Sequence, residues 1–88
     1  MNLINASAAP AIAGAEPAVA SITSADLTAN IYTFTHNLGV QYPIIQVSDE
    51  NGNVVQPDSI TFSSTTAAAI DLTSFATISG TWHAEAVG

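Results

Sequence analysis

Eighty-eight residues allow a single small domain. The chain carries seven Asp and Glu, no Lys or Arg and a formal net charge of −7, which excludes phosphate-backbone recognition of nucleic acid and electrostatic binding to anionic membranes. Cysteine is absent, so disulfides, thiolate nucleophiles and cysteine-based zinc sites are excluded as well. A domain of this size without such staples is expected to need oligomerisation or a larger partner surface. With no cationic side chain except histidine, its stability must come from apolar burial and hydrogen bonds.

Residues 1–25 are dominated by Ala and punctuated by Pro10, Gly14 and Pro17. Each proline breaks a helix and pushes the residue before it toward extended backbone. The segment is too apolar for a typical disordered tail and too poor in large side chains to build a core. It reads as an extended N-terminal arm, with residues 26–88 as the β domain. The apolar and proline positions Leu3, Ile4, Pro10, Ile12, Pro17, Val19 and Ile22 are the expected partner-binding residues of that arm. Ala18-Val19-Ala20 superficially resembles a signal-peptidase site, but no cationic segment precedes it and Pro10 and Pro17 interrupt the apolar run. No window is long and apolar enough to span a bilayer.

Asn30–His36 begins a regular alternation, with Tyr32, Phe34 and His36 on one face. Asn37-Leu38-Gly39 ends that strand. Tyr42–Ser48 is the next strand, with Pro43 at its start. Asp49-Glu50-Asn51-Gly52-Asn53 follows, and Asn-Gly between β-like runs is a strong hairpin signal. Val54–Gln56 returns, Ser59–Ser63 and Ala67–Leu72 are further strands, and residues 73–80 connect to Thr81–Val87. In that last strand Trp82, Ala84 and Ala86 face one way and Thr81, His83 and Glu85 the other. About six short strands at this spacing predict an all-β fold, a small antiparallel β-sandwich or barrel-like domain. The expected core is Tyr32, Phe34, Ile45, Val47, Val55, Ile60, Phe62, Ile70, Leu72, Phe75 and Trp82.

Chemistry-bearing patterns are few. Asp49-x-Asn51-x-Asn53 has the alternating oxygens of a calcium loop, but the sixth position is Val54 rather than Gly and no bidentate Glu stands at the twelfth. Turn chemistry accounts for every residue there. His36 and His83, with Glu85, are the only transition-metal candidates, and structural roles suit them better. Neither a nucleophile elbow nor a Ser/His/Asp arrangement stands out. No catalytic residue, cofactor or metal is therefore expected, and the chain is not expected to be an enzyme. Trp82 reads as a core anchor rather than a sugar-stacking platform.

Thr35-His36-Asn37-Leu38-Gly39, then Asp49-Glu50-Asn51-Gly52-Asn53-Val54-Val55, Pro57-Asp58-x-Ile60, Ile70-Asp71-Leu72, Gly80-Thr81-Trp82 and Val87-Gly88 follow one another in an order that resembles small β domains of tailed-bacteriophage virions. Such domains occur in head fibres, capsid-decorating proteins and tail-fibre ends. The resemblance covers roughly residues 30–88 and implies a non-enzymatic virion component, often trimeric, made in the host cytoplasm. It implies attachment by the N-terminal segment to the major capsid protein or another virion protein. Without a shaft, the chain is expected to be a stand-alone decoration or cement protein of the head. The alternative is a tail-fibre or receptor/glycan-binding module acting through loop residues such as Asn37, Gln41 and Asn51.

Overall fold

The computed structural model describes residues 17–88. Within them the chain is all-β, with seven strands in two antiparallel sheets. The strands are β1 (Ala18–Ile22), β2 (Ile31–Thr35), β3 (Ile44–Ser48), β4 (Val54–Val55), β5 (Ser59–Phe62), β6 (Ala67–Asp71) and β7 (Trp82–Val87). One sheet has the order β1-β7-β3-β4 and the other β2-β6-β5. Only the β3–β4 and β5–β6 connections stay within a sheet. The others cross between the two layers, so the chain stitches the sandwich together repeatedly.

The strand at Ala18–Ile22 places the start of the sheet earlier than the expected domain boundary at residue 26. Val19 and Ser21 are exposed on it, Ala18 and Ala20 are half-buried, and Ile22 is fully buried. Ile22 pairs with Trp82, Ala20 with Ala84 and Ala18 with Ala86. Ile22 therefore belongs to the core and is not open to a partner. Small side chains suffice here because the facing row of β7 is itself Trp82, Ala84 and Ala86.

Ile22, Phe34, Val47, Ile70, Leu72, Ile78, Trp82, Ala84 and Ala86 form one buried cluster. Tyr32, Ile45, Val55, Ile60 and Phe75 pack against it. Trp82 lies edge-on to Phe75, with ring centroids 5.2 Å apart, an arrangement the aromatic quadrupoles favour. All of the expected core except Phe62 lies in or against this cluster, and Ile22, Ile78, Ala84 and Ala86 complete it. Phe62, at the end of β5, is half-buried against Tyr42 instead. Burial raises the Tyr32 phenol above its ordinary range, and the nearby Asp26 charge adds to the effect.

The Asp49–Asn53 turn lies where the sequence places it. Asp49–Asn53 is a three-residue loop: the Gly52 N–H bonds the Asp49 carbonyl at 3.1 Å, the Asp49 N–H bonds the Asn53 carbonyl at 2.9 Å, and Gly52 has φ +82°. This is a type I turn closed by a left-handed glycine. A two-residue turn occurs at Ala29-Asn30. Both residues have positive φ, and Thr28 and Ile31 exchange backbone bonds of 2.9 Å.

Replacing Ile22 with Ala should destabilise the domain by about 2–5 kcal/mol, because it empties a fully buried site. Urea unfolding checks this: an unchanged midpoint would mean that Ile22 lies outside the cooperative core.

Candidate functional site

The outward face of the β1-β7-β3-β4 sheet presents an arrangement that strand alternation alone does not require. Its first row joins Val87 of β7 to Ile44 of β3. The second runs Val19, Glu85 and Gln46 across β1, β7 and β3. The third runs Ser21, His83, Ser48 and Val54. Ile44 is 76% exposed, Val54 65%, Val19 64% and Val87 36%. Val19 lies diagonal to Val87, so Val19, Val87 and Ile44 form a contiguous apolar corner where the chain enters β1 from Pro17. Tyr42 and Val40, both exposed, sit in the connection leading into β3 at that same end. Tyr42 is propped edge-on against Phe62 of the other sheet, with centroids 5.5 Å apart.

Glu85 stands in the middle of this face, exposed on the central strand. Its neighbours are Val19 and Gln46 across the sheet and His83 and Val87 along β7. The other described carboxylates have different surroundings. Asp26 accepts from the Thr23 amide at 2.8 Å and the Thr23 hydroxyl at 3.1 Å. Asp49 Oδ1 accepts from the amides of Asn51 and Asn53, each at 2.9 Å. Asp58 accepts from the Ser74 amide at 2.7 Å and from its hydroxyl. Asp71 accepts from the Thr73 hydroxyl at 2.6 Å and amide at 2.9 Å. These two bonds, the hydroxyl first, hold the Asp71 carboxyl below the usual carboxylate range.

Glu50 is the fifth such carboxylate and the one least legible beforehand. It projects from the β3–β4 hairpin, where it was expected to be merely exposed. Its Oε1 accepts from Trp82 Nε1 at 3.0 Å and its Oε2 from the Ser79 hydroxyl at 2.9 Å. Trp82 Nε1 also donates to the Ser79 carbonyl at 3.2 Å. The side chain reaches there across Gly80, where a Cβ would come within 2.8 Å of Glu50 Cβ and where φ is +69°. Gly80 is needed on both counts. Glu50 thereby ties the hairpin to the segment that feeds the central strand.

Of the expected arm residues, Leu3, Ile4, Pro10 and Ile12 lie outside the described residues. Pro17 and Val19 are exposed beside the apolar corner, while Ile22 is buried. His36 and His83 are not brought together. His83 is exposed on the outward face, whereas His36 is 4% exposed and its Nδ1 accepts the Leu38 N–H at 3.1 Å. That bond assigns the proton to Nε2, which has no hydrogen-bond partner among the described residues. No group of three metal-ligating side chains occurs among the described residues. Asn37 and Gln41 precede β3 while Asn51 follows it, so the suggested glycan-contacting residues lie at opposite ends of that strand. Trp82 is buried and offers no sugar a face. No helix among the described residues is long and apolar enough to cross a membrane.

Comparison with protein-family models, with curated proteins and with solved structures returned no match.

Two measurements probe these carboxylates. Glu50→Ala should cost about 1 kcal/mol and shift the emission of the single Trp, since the indole N–H loses its charged acceptor. Glu50→Gln, which keeps an acceptor, should lose less. Asp71 has a depressed folded-state value, so its contribution to stability is complete above its unfolded value and is lost as pH falls through the folded one. Urea midpoints recorded downward through the acid range should therefore fall less steeply for Asp71→Asn than for the parent.

Proposed function

We propose that this chain is a non-enzymatic virion structural protein of a tailed bacteriophage, a capsid-decorating protein of the cement or head-fibre kind. Its N-terminal segment and the adjoining sheet face attach it to the major capsid protein or another virion protein. The resemblance in the order of turns and strand ends over residues 30–88 suggests the particle. The observation that carries the attachment role is the apolar corner of Val19, Val87 and Ile44, open on the outward face where the N-terminal segment joins the sheet. Large exposed aliphatics scattered singly on a surface are ordinary, but a contiguous set rimmed by polar residues marks a contact surface. Pro17 and Val19 lie at this junction, so the first sixteen residues and the face can engage one partner together.

The fold dictates where the segment is cut to test this. Removing residues 1–25 would delete β1 and with it the core residue Ile22. Removing residues 2–16 spares both. The full chain should co-sediment with purified particles of the virus that encodes it, and the shortened chain should lose most of that binding while keeping its thermal transition. Undiminished binding of the shortened chain, or no binding by the full one, overturns the reading.

A further inference from the structure

We infer that the outward face of the β1-β7-β3-β4 sheet docks a protein partner that presents an Arg or Lys among apolar side chains, with Glu85 as its anchor. Among the described residues, Asp26, Asp49, Glu50, Asp58 and Asp71 each accept two hydrogen bonds from donors of this chain. Glu85 accepts none from them and stands at the centre of a face whose apolar residues are Val19, Val87, Ile44 and Val54. Covering that face takes Glu85 out of water. An uncompensated buried carboxylate is strongly unfavourable, so the covering surface must bring a cation.

The sequence narrows the choice of occupant. With no Lys or Arg in its 88 residues, a second copy laid face to face would set Glu85 against another acidic face. Its only nitrogen-bearing side chains on that face would be His83 and the uncharged Gln46, and neither offers the permanent positive charge of a guanidinium or ammonium. A homotrimer would therefore form elsewhere on the molecule. A guanidinium suits the site best, because it can engage the carboxylate through two parallel bonds while its flat faces tolerate the flanking aliphatics. At ordinary strand spacing and rise the face measures roughly 15 by 17 Å. That falls short of a standard-size interface, and the Pro17 junction and the Val40–Tyr42 connection extend it at the apolar corner. The inference rests on the attachment reading only in taking this face as the docking surface; the requirement for a cation follows from Glu85 and its surroundings.

The test uses the full chain and three synthetic peptides of alternating sequence, with Val at every second position and Arg, Gln or Glu between. Titrated into isotopically labelled protein, the Arg peptide should shift the amide resonances of Val19, Ile44, Gln46, Glu85 and Val87, and the Glu peptide should not. Glu85→Gln should weaken the Arg peptide by about thirtyfold, the lower end for losing one partner of a charge pair taken out of water, and reduce its salt dependence. Glu85→Lys should reverse the preference toward the Glu peptide. Equal binding of Arg and Glu peptides, shifts confined to another surface, or indifference to both substitutions overturns the inference. Shifts of these same residues with protein concentration alone would place a second copy on the face and overturn it too. Particle co-sedimentation reads the attachment function separately. A chain that binds particles equally well as Glu85→Lys refutes the cation requirement and leaves attachment standing; peptide selectivity without particle binding does the reverse.

Discussion

The inward row of β7, with one large side chain at Trp82 and two small ones at Ala84 and Ala86, sets the terms for the rest of the molecule. β7 is the central strand that holds both β1 and β3 in register. The alanines leave room for Phe34, Ile70 and Leu72 from the other layer, in the large-against-small alternation that lets two sheets interdigitate. Trp82 fills the end of the layer where the alternation stops, and its indole N–H needs an acceptor there. Glu50, reaching over Gly80, supplies one. The hairpin, the glycine and the connecting segment are thus consequences of putting the one tryptophan at the head of the central strand.

Much of this was legible from local alternation, and the exceptions have physical causes. The faces of β2, β3, β5, β6 and β7 follow from period-two patterning alone. β1 was concealed because its inward residues are Ala18 and Ala20, which carry little β preference, and because it lies among prolines. What makes that strand is its partner row of Ala86, Ala84 and Trp82, information held near the other end of the sequence. The Asn51-Gly52 pair signalled a hairpin correctly, with its turn at Asp49–Asn53. Loop length follows from the pairing of Ser48 with Val54 and the bond from the Asp49 N–H to the Asn53 carbonyl, which leaves three residues in the loop and puts glycine at the left-handed closing position. The two-residue turn fell to Ala29-Asn30, a pair whose left-handed backbone is unfavourable for alanine and is held by mutual bonds between Thr28 and Ile31.

The apolar corner illustrates a different limit. Val19, Ile44 and Val87 come from three separate segments, and each alone is an unremarkable outward-facing aliphatic on an alternating strand. Only the register that sets Val87 beside Ile44 and Glu85 beside Val19 makes them one surface. A one-residue slip in either pairing would turn the whole row inward. The surface is therefore a product of the same β7 pairing that builds the core.

The absence of Lys and Arg has consequences for the interior and the exterior alike. Within the fold, carboxylates cannot be neutralised by cationic side chains of those kinds, so they are placed where turns and short 3-10 segments offer N–H and O–H donors. Asp26 beside Thr23, Asp58 beside Ser74 and Asp71 beside Thr73 are three instances of one solution. The Asp26 and Asp71 bonds stay local and stabilise turns. Asp58 reaches Ser74 across the β5–β6 hairpin, and Glu50 reaches furthest, to Ser79 and Trp82, where it serves the core. A carboxylate on the open face of a sheet has no such turn beside it, because the strand's own amides lie in the ladder and point along the sheet. Glu85 is in that position and accepts no hydrogen bond from the described residues.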